Sequence, residues 1–350
     1  MRRPAAGNLT AMSEPGSARA RVGVRDVARV AGVSAQTVSR VINDHPRIRD
    51  ETRRRVLEAM AQLDYRPNPV ARALVTGRSK TLGVVSFDTT LYGPASTLFG
   101  IEQAAHEAGY FITIVSLKTL DLESVLDAVE RLRAQGVDGI LVIAPYEGAA
   151  HALMQAPTGF PIVAVEAGPA GGIPVAAIDQ FTGAAIATRH LLELGHRTVA
   201  HIAGPHHYLE AQQRVAGWRA TLVAAGAEIR PAPEGDWSPR AGYEFGRTLA
   251  PDVTAIFVAN DQMALGVLRA LHEAGRSVPE DVSVVGFDDV PEAEFFLPPL
   301  TTIRQDFGEM GRRSLRLLLE TMEPTGDATP HLEVAPELVV RASTAPPQIA

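Results

Sequence analysis

Between Leu82 and Phe287, short apolar runs alternate with longer stretches of helical periodicity, and this alternation limits the possible folds more than any other feature. The apolar runs are 82–87, 111–115, 139–144, 161–165, 199–203, 255–259 and 282–287. The helical stretches between most of them are 97–108, 122–135, 182–194, 210–225, 241–249 and 261–274, several of them followed by glycine. Strands that are apolar throughout and alternate with helices predict parallel sheets covered on both faces. The units are too many for one small sheet, so we predict two lobes, with a ligand site at the carboxyl ends of the strands.

The segment from Val22 to about Leu63 differs, because its apolar residues recur at helical spacing. Three short helices fit it, since Gly32 permits a turn between the first two and Ser34 can cap the second. The second helix then exposes Ala35, Gln36, Ser39 and Arg40. Glutamine can pair with adenine, arginine with guanine, and alanine can contact a thymine methyl, so this helix suits the major groove of DNA. The alternative interpretation is a surface helix with ordinary polar residues.

Charge separates this segment from the rest of the chain. Residues 1–80 hold 16 Lys+Arg and 7 Asp+Glu, whereas residues 81–350 hold 17 and 33, within a net charge of −7. A basic head on an acidic body indicates that only the head meets a polyanion such as DNA. Residues 1–21, rich in Ala, Pro, Gly, Ser and Arg, are predicted to be a disordered extension. A solvated basic tail is the alternative explanation of the excess charge.

The residues from Asp26 to Asn43 resemble the helix-turn-helix of the LacI/GalR family of transcriptional regulators, with its Asp-Val-Ala, Ala-Gly-Val-Ser and Thr-Val-Ser-Arg-Val elements. The DNA-binding residues of the head are then Ser34, Ala35, Gln36, Thr37, Ser39, Arg40 and Asn43. The resemblance implies base reading by Ala35, Gln36 and Arg40, and packing or phosphate contacts by Thr37, Ser39 and Asn43. The third helix supports the pair, and its residues Arg53, Arg54 and Arg55 also fit a solvated face.

A linker with a predicted hinge helix follows at residues 67–79. Asn68 can serve as N-cap and Pro69 as the first residue of a helix of about seven residues, too short to be stable alone. In the family this helix enters the minor groove, and the resemblance makes Leu74 the apolar wedge between base pairs. A plain interdomain linker with one apolar residue is the alternative.

The resemblance extends from Val22 to about Ala342 and is closest to the lac-repressor branch of the family. It implies a small all-α helix-turn-helix head at 22–66 and, at 80–342, an α/β two-lobed sensor domain of the type I periplasmic-binding-protein-like class with parallel sheets. The N-lobe is expected at about 80–179 and 305–334, the C-lobe at about 180–304 and 335–342, and a tail at 343–350. No counterpart of a tetramerisation helix follows Ala342, so we expect a homodimer on a pseudo-palindromic operator.

Sugar chemistry singles out polar residues near strand ends. A sugar offers adjacent hydroxyls to planar, multi-donor groups and an apolar C–H face to aromatic rings. Asn260 and Asp288 each follow an apolar run, and Arg214 offers a guanidinium fork. Helix capping by Asn260 or Asp288, a surface position for Arg214 and a core position for Trp237 are the alternatives.

The resemblance implies a fuller ligand site. Its residues are Leu91, Gly93, Pro94, Thr97, Glu166, Arg214, Trp237, Asn260, Asp288 and Phe307. The departures from the lac-repressor branch are Thr97 for isoleucine, Ala144 for asparagine, Glu166 for aspartate and Glu210 for serine. Because buried polar pairing selects the hydroxyl pattern, a galactoside-like effector is expected and the identity of the sugar stays open.

Other function classes must be weighed against a repressor that sugar releases from DNA. The sequence has no Gly-x-Gly-x-x-Gly, phosphate-loop or Gly-x-Ser-x-Gly motif, so neither an enzyme activity nor a cofactor is predicted. His206 and His207 lack a nearby carboxylate or a third ligand at metal spacing, so no metal site is predicted. The alternatives are a corepressor-type regulator, as in the purine-responsive branch of the family, and a sugar-binding protein without a regulatory role.

The expected compartment follows from segments that are missing. The sequence has no cysteine, no apolar run near the ~20 residues that cross a bilayer, and no signal-type apolar segment in its first 21 residues. We therefore expect a cytoplasmic protein whose partners are double-stranded operator DNA and a small sugar, with no membrane partner.

Overall fold

The structure, a computed structural model, divides the chain into two compact units at Gly77. The described residues are 22–43, 45–67, 73, 77–118, 121–146, 149, 153–155, 159–168, 172–323 and 331–348. The predicted disordered extension at 1–21 and the hinge residues Asn68 and Leu74 lie outside them. None of the helices in these ranges combines the length and apolar character that crossing a membrane requires.

The first unit holds the predicted helical head. Its helices are α1 (Val24–Ala31), α2 (Ala35–Ile42) and α3 (Asp50–Gln62). Gly32 ends α1 in the left-handed region at φ 63°, and the Ser34 hydroxyl accepts the amide of Thr37 at 3.1 Å, so the predicted turn and cap are confirmed. The small core consists of Val27, Ala28, Ala31, Val38, Val41, Val56 and Ala59.

Arg55 on α3 braces the turn between α1 and α2. Its Nη2 donates to the carbonyl oxygens of Ala31 at 2.5 Å and Gly32 at 3.4 Å, where α1 leaves its last carbonyls without helical partners. Arg55 is itself exposed, so its contact with the turn does not contradict the interpretation of the α3 arginines as a solvated face. That interpretation also holds for Arg54, which forms an exposed ion pair with Glu58.

We expect Arg55→Ala to destabilise the head by about 0.5–1.5 kcal/mol, because the carbonyl groups of Ala31 and Gly32 would lose a charged donor. Hydrogen–deuterium exchange of the α1–α3 amides in the full chain measures this loss of protection. The matched control is Arg54→Ala, which removes an exposed pair and should change protection by no more than ~0.5 kcal/mol. Equal protection in the two variants would contradict the bracing role.

The second unit contains two separate sheets. Its strands are β1 (Thr81–Phe87), β2 (Phe111–Leu117), β3 (Gly139–Ile143), β4 (Ile162–Val165), β5 (Val175–Ile178), β6 (Ala200–Ile202), β7 (Ala255–Val258), β8 (Ser283–Asp288), β9 (Thr301–Arg304), β10 (His331–Val334) and β11 (Glu337–Val339). Its helices are α4 (Tyr92–Glu107), α5 (Leu122–Ala134), α6 (Gln180–Glu193), α7 (Leu209–Ala224), α8 (Pro239–Arg247), α9 (Asp261–Glu273) and α10 (Phe307–Thr321). A short 3₁₀ turn at Ala293–Phe295 follows β8.

The first sheet belongs to the N-lobe and is parallel throughout, in the order β10-β5-β4-β3-β1-β2. Its central strands are buried along their whole length, as in β3, because α4 and α10 pack on one face and α5 on the other. At the edge, β2 alternates between half-buried and exposed residues, and Phe111 is exposed.

The second sheet belongs to the C-lobe, in the order β11-β9-β8-β7-β6. Strands β6 to β9 are parallel and β11 adds an antiparallel edge, a feature that the sequence did not predict. Helices α6 and α7 pack on one face, around the fully buried Trp218, and α8 and α9 pack on the other. The two-lobed α/β architecture with parallel sheets is thus confirmed.

The chain passes between the two sheets where β5 leads to α6, where β9 leads to α10 and where β10 leads to β11. The predicted tail at 343–350 is wrong at its start. The buried Ser343 hydroxyl donates to the Val284 carbonyl at 2.6 Å and accepts the Thr301 amide at 2.8 Å, and Ala345 pairs with Ser283. These bonds fix the segment beside β8 because they satisfy backbone groups of the buried sheet.

Candidate functional site

A cavity of about 230 Å³ lies between the two lobes at the carboxyl ends of their strands. The structure brings together every ligand residue that the sequence predicted: Leu91, Gly93, Pro94, Thr97, Glu166, Arg214, Trp237, Asn260, Asp288 and Phe307. The lining also includes Glu210, which the resemblance placed at a site position, and residues that were not predicted: Thr90, Tyr92, Ile143, Tyr208, Pro239, Gln262 and Gln305. A small site of this kind fits a metabolite rather than a macromolecule.

Arg214, on α7, is buried in the cavity wall, so its alternative interpretation as a surface charge is wrong. Its Nε donates to Oε1 of Gln180 at 2.9 Å and its Nη1 donates to the Ala259 carbonyl. Its Nη2 lies 3.7 Å from Oδ1 of Asp288, and its guanidinium carbon lies 3.8 Å from the centroid of the Phe287 ring. A buried guanidinium is stable only with such partners, so the pocket is organised around this cation.

Two glutamines that the sequence analysis missed close the hydrogen-bond network. Nε2 of Gln180 donates to Oε1 of Gln305 at 2.8 Å, and Nε2 of Gln305 donates to Oδ1 of Asp288 at 2.6 Å. Both glutamines lie in segments where the chain passes from one sheet to the other. The hydrogen-bond network of the cavity therefore includes residues of the connections between the lobes. Gln305 directly follows β9, but this strand reads Thr-Thr-Ile-Arg, so the apolar run that identified Asn260 was absent here.

Asn260 caps a helix and also lines the cavity. Its Oδ1 accepts the amide of Met263 at 3.0 Å at the start of α9, as the capping alternative predicted. Its Nδ2 donates to the Trp237 carbonyl at 3.1 Å and to Oε1 of Gln262 at 2.9 Å. A ligand hydroxyl at Asn260 would therefore share or displace the Gln262 contact. The capping alternative is wrong for Asp288, which is the last residue of β8 and caps no helix.

Three carboxyl groups face one guanidinium in the cavity, those of Glu166, Glu210 and Asp288 around Arg214. Burial, followed by the charge of Glu210, raises the pKa of Glu166. Burial also raises the pKa of Glu210, and it raises the pKa of Asp288 to about 6 although Arg214 opposes the shift. A single cation among three carboxyl groups disfavours a phosphorylated or otherwise anionic ligand.

Two buried oxygen atoms in the cavity have no protein hydrogen-bond partner among the described residues: Oε1 of Glu166 and Oγ1 of Thr97. The other oxygen of Glu166, Oε2, accepts the amide of Ile178 at 3.3 Å. Because an unpaired buried polar atom costs about 1–3 kcal/mol, a ligand hydroxyl at these atoms would recover that energy. Thr97 and Glu166 both differ from the residues of the lac-repressor branch, so two of the substituted positions carry the unpaired oxygen atoms.

The burial of Glu166 makes stability depend on pH. Its raised pKa means that the folded state keeps a proton that the unfolded chain releases above its ordinary value of 4.5. The free energy of unfolding therefore falls as the pH rises from about 5 towards 8. We expect Glu166→Gln to reduce this fall by on the order of 1–3 kcal/mol, since each pKa unit is worth ~1.4 kcal/mol.

Urea unfolding of the full chain at pH 5, 6, 7 and 8 measures the difference. The control is Glu107→Gln, whose carboxyl is exposed and lies outside this cavity. We expect the stability curve of Glu107→Gln to parallel that of the unchanged protein. An unchanged pH dependence in Glu166→Gln would show that another group carries the effect.

Three ligand-lining residues have left-handed backbones: Glu166 at φ 56°, Trp237 at φ 69° and Asp288 at φ 111°. Such conformations cost energy in residues other than glycine and cluster at functional sites. Gly204 admits the Trp237 ring, because a Cβ at residue 204 would lie 2.0 Å from its Cη2. The backbone is thus shaped to present these side chains to the cavity.

Each lobe contributes an aromatic pair to the cavity. Tyr92 and Phe307 lie edge to face with centroids 5.7 Å apart in the N-lobe, and Tyr208 and Trp237 do so at 5.6 Å in the C-lobe. Trp237 packs against the C-lobe core, as the core alternative predicted, and its half-buried side chain also lines the cavity. Rings from both lobes offer apolar surface to a ligand that also meets the polar network.

The head presents its predicted DNA-reading residues on α2. Ala35, Gln36 and Arg40 are exposed, as a helix lying in the major groove requires. The side chains of Ser34 and Thr37 bond to each other at 2.9 Å at the start of α2. Ser39 and Asn43 are half buried, consistent with packing, although Oδ1 of Asn43 is buried without a partner in this part of the chain.

In the folded chain His206 has a nearby carboxylate, that of Glu234, so the prediction that His206 and His207 lack one is wrong. Nδ1 of His206 lies 2.9 Å from Oε1 and 3.0 Å from Oε2 of Glu234, and the His206 amide donates to Oε1 at 3.0 Å. The parallel bridge between Ala203 and Glu234 brings these distant segments together. No local spacing in the sequence could have revealed the pairing.

Known proteins match the chain over both units. The family model of bacterial regulatory proteins, lacI family, matches residues 24–68, and that of the periplasmic binding protein-like domain matches residues 188–344. The chain is 35% identical over 327 residues to the HTH-type transcriptional repressor PurR of Mannheimia succiniciproducens, covering 91% of this chain and 98% of that protein. It is 35% identical over 325 residues to the lactose operon repressor of Escherichia coli, covering 91% and 89%. The crystal structure of the lac repressor dimer bound to operator and the anti-inducer ONPF is similar, with a TM-score of 0.83, 35% identity and coverage of 93% and 100%.

Proposed function

The chain belongs to the LacI family of bacterial regulatory proteins, and from that membership we propose a homodimeric repressor that a galactoside-like sugar releases from its operator DNA. The observation that carries the sugar assignment is the composition of the cavity. Arg214, Asp288 and Gln305 form a hydrogen-bonded polar wall, while each lobe adds an aromatic pair. Adjacent hydroxyls and an apolar ring face are the complement of that combination.

The likeness to a repressor dimer on operator DNA supports the DNA half of the proposal. Two heads would place their α2 helices in successive major grooves, with Gln36 and Arg40 reading bases. The hinge helix, with Asn68 and Leu74, would complete the contact in the minor groove. Sugar binding between the lobes favours a lobe arrangement that separates the hinges, so operator DNA and sugar must weaken each other's binding by the same factor.

A second candidate is a corepressor-type regulator with a purine effector. The equal identity to a PurR repressor favours it, because kinship alone does not separate the two branches. Its ligand would strengthen operator binding instead of weakening it. The cavity favours the sugar, since Glu166 and Thr97 offer unpaired oxygens to hydroxyl groups.

Isothermal titration calorimetry of the purified full chain separates the two effectors. The panel is galactose, lactose, a thiogalactoside, cellobiose, hypoxanthine and guanine. We expect saturable binding of at least one galactoside and none of the purines. Binding of a purine alone would transfer the protein to the second candidate, and binding of cellobiose alone would remove the galactoside assignment but keep a sugar effector.

A further inference from the structure

The exposed side chains of His206, His207 and Glu234 form a cluster beside the effector cavity. One potential ligand atom from each lies within 4.8 Å of the other two. Two atoms bound to one tetrahedral zinc ion at about 2.0–2.1 Å are themselves about 3.4 Å apart. Nδ1 of His206 and the Glu234 carboxylate, now 2.9 Å apart, are close to that separation, and the ligand atom of His207 would have to approach from within 4.8 Å.

The cluster rests on fixed supports, although it is solvent-exposed. The ring of His207 stacks on Tyr146 with centroids 5.2 Å apart and contacts Tyr208 at 4.9 Å. Glu234 is held by the bridge to Ala203 and by the His206 amide, which donates to its carboxylate Oε1 at 3.0 Å.

We propose that His206, His207 and Glu234 bind a divalent transition-metal ion, with Zn²⁺ the best match. Two imidazole nitrogens and one carboxylate oxygen are the ligand set of three-residue zinc sites, which leave a fourth position to water. Imidazole ligands favour zinc, copper and nickel, whereas Mg²⁺ prefers an all-oxygen shell. The simple alternative is a His–Glu ion pair that binds no metal.

The position of the cluster links the metal to the effector cavity. Tyr208 follows His207 directly, and Trp237 lies three residues after Glu234. The two rings contact each other in the cavity wall. A metal would cross-link the two loops that carry this aromatic pair, so its binding should change the fluorescence of Trp237.

Calorimetric titration of the tag-free full chain with ZnCl₂ at pH 7.5 tests the site. We expect saturable binding of one Zn²⁺ by this cluster, with a change in tryptophan fluorescence at the same stoichiometry, and no binding of Mg²⁺. Glu234→Gln and His206→Ala should each weaken zinc binding at least tenfold. Circular dichroism should show both variants folded, because the replaced side chains are exposed.

The matched control is His331→Ala, which breaks another exposed His–Glu pair, at 2.9 Å, that lies in the other lobe. It should leave zinc affinity unchanged. Absence of saturable zinc binding, or equal zinc affinity in His206→Ala and the unchanged protein, would overturn the proposal. The test uses neither DNA nor sugar, so its outcome is independent of the proposed function.

Discussion

Replacing Arg214 with alanine is expected to leave operator binding intact and to weaken effector binding at least 100-fold, so that sugar no longer releases the DNA. The guanidinium holds Gln180, the Ala259 carbonyl and Asp288 in one network, and it is the only cation lining the described cavity. A buried hydrogen bond to a charged group contributes about 1.5–3 kcal/mol, and ~2.8 kcal/mol corresponds to 100-fold in affinity. Calorimetry with the galactoside selected from the panel measures the loss.

Two further variants test whether the lost affinity is due to the planar guanidinium of Arg214, to its charge or to a general loss of stability. Arg214→Lys keeps a cation but not the planar fork, so we expect an affinity between those of the unchanged protein and Arg214→Ala. Arg230→Ala breaks an ion pair with Asp252 on the surface of the same lobe and should change effector affinity less than about twofold. Full release of operator by sugar in Arg214→Ala would place this residue outside the effector's contacts.

Replacing Gln36 with alanine is expected to weaken specific operator binding by about 10–100-fold, or 1–3 kcal/mol, if its amide reads a base edge. Gln36 is exposed on α2, and its loss changes neither the core of the head nor its charge. Nonspecific binding and the slope of affinity against salt should therefore stay the same, because both depend on phosphate contacts. Fluorescence anisotropy with operator and scrambled duplexes at several salt concentrations measures both quantities.

The matched control for Gln36→Ala is Gln62→Ala, which removes the same side chain from an exposed position at the end of α3. It should bind operator and scrambled DNA as the unchanged protein does. If Gln36→Ala lost no specificity, or lost affinity equally for both duplexes, base reading by this residue would be excluded.

Local pattern was sufficient to predict the head and most helices and strands. Strands β5, β9, β10 and β11 were missed. Strands β9, β10 and β11 contain polar or charged residues instead of an apolar run, and β5 has only four residues, so their formation depends on pairing with distant segments. Helix α10 was a different omission. Asp306 at its N-cap and the apolar Phe307, Met310 and Leu317 on one face are a readable helix signal.

The residues of the effector site also fall into those that the sequence could predict and those that it could not. Residues directly after apolar runs of the sequence, such as Asn260 and Asp288, were predictable from the geometry of parallel sheets. Gln180, Tyr208 and the pairing of His206 with Glu234 were not, because each depends on side chains that meet across the fold. The burial of Arg214 in the structure excluded the surface position that the sequence alone had left open.

Titration of a palindromic operator from the DNA upstream of its own gene, with and without the galactoside selected from the panel, tests the central claim most directly. We expect the full chain to bind this duplex specifically at moderate salt and to release it as the galactoside saturates the cavity. Tighter operator binding with ligand would contradict release by an inducer and favour the corepressor. Absence of specific binding by the folded protein would contradict the regulator itself.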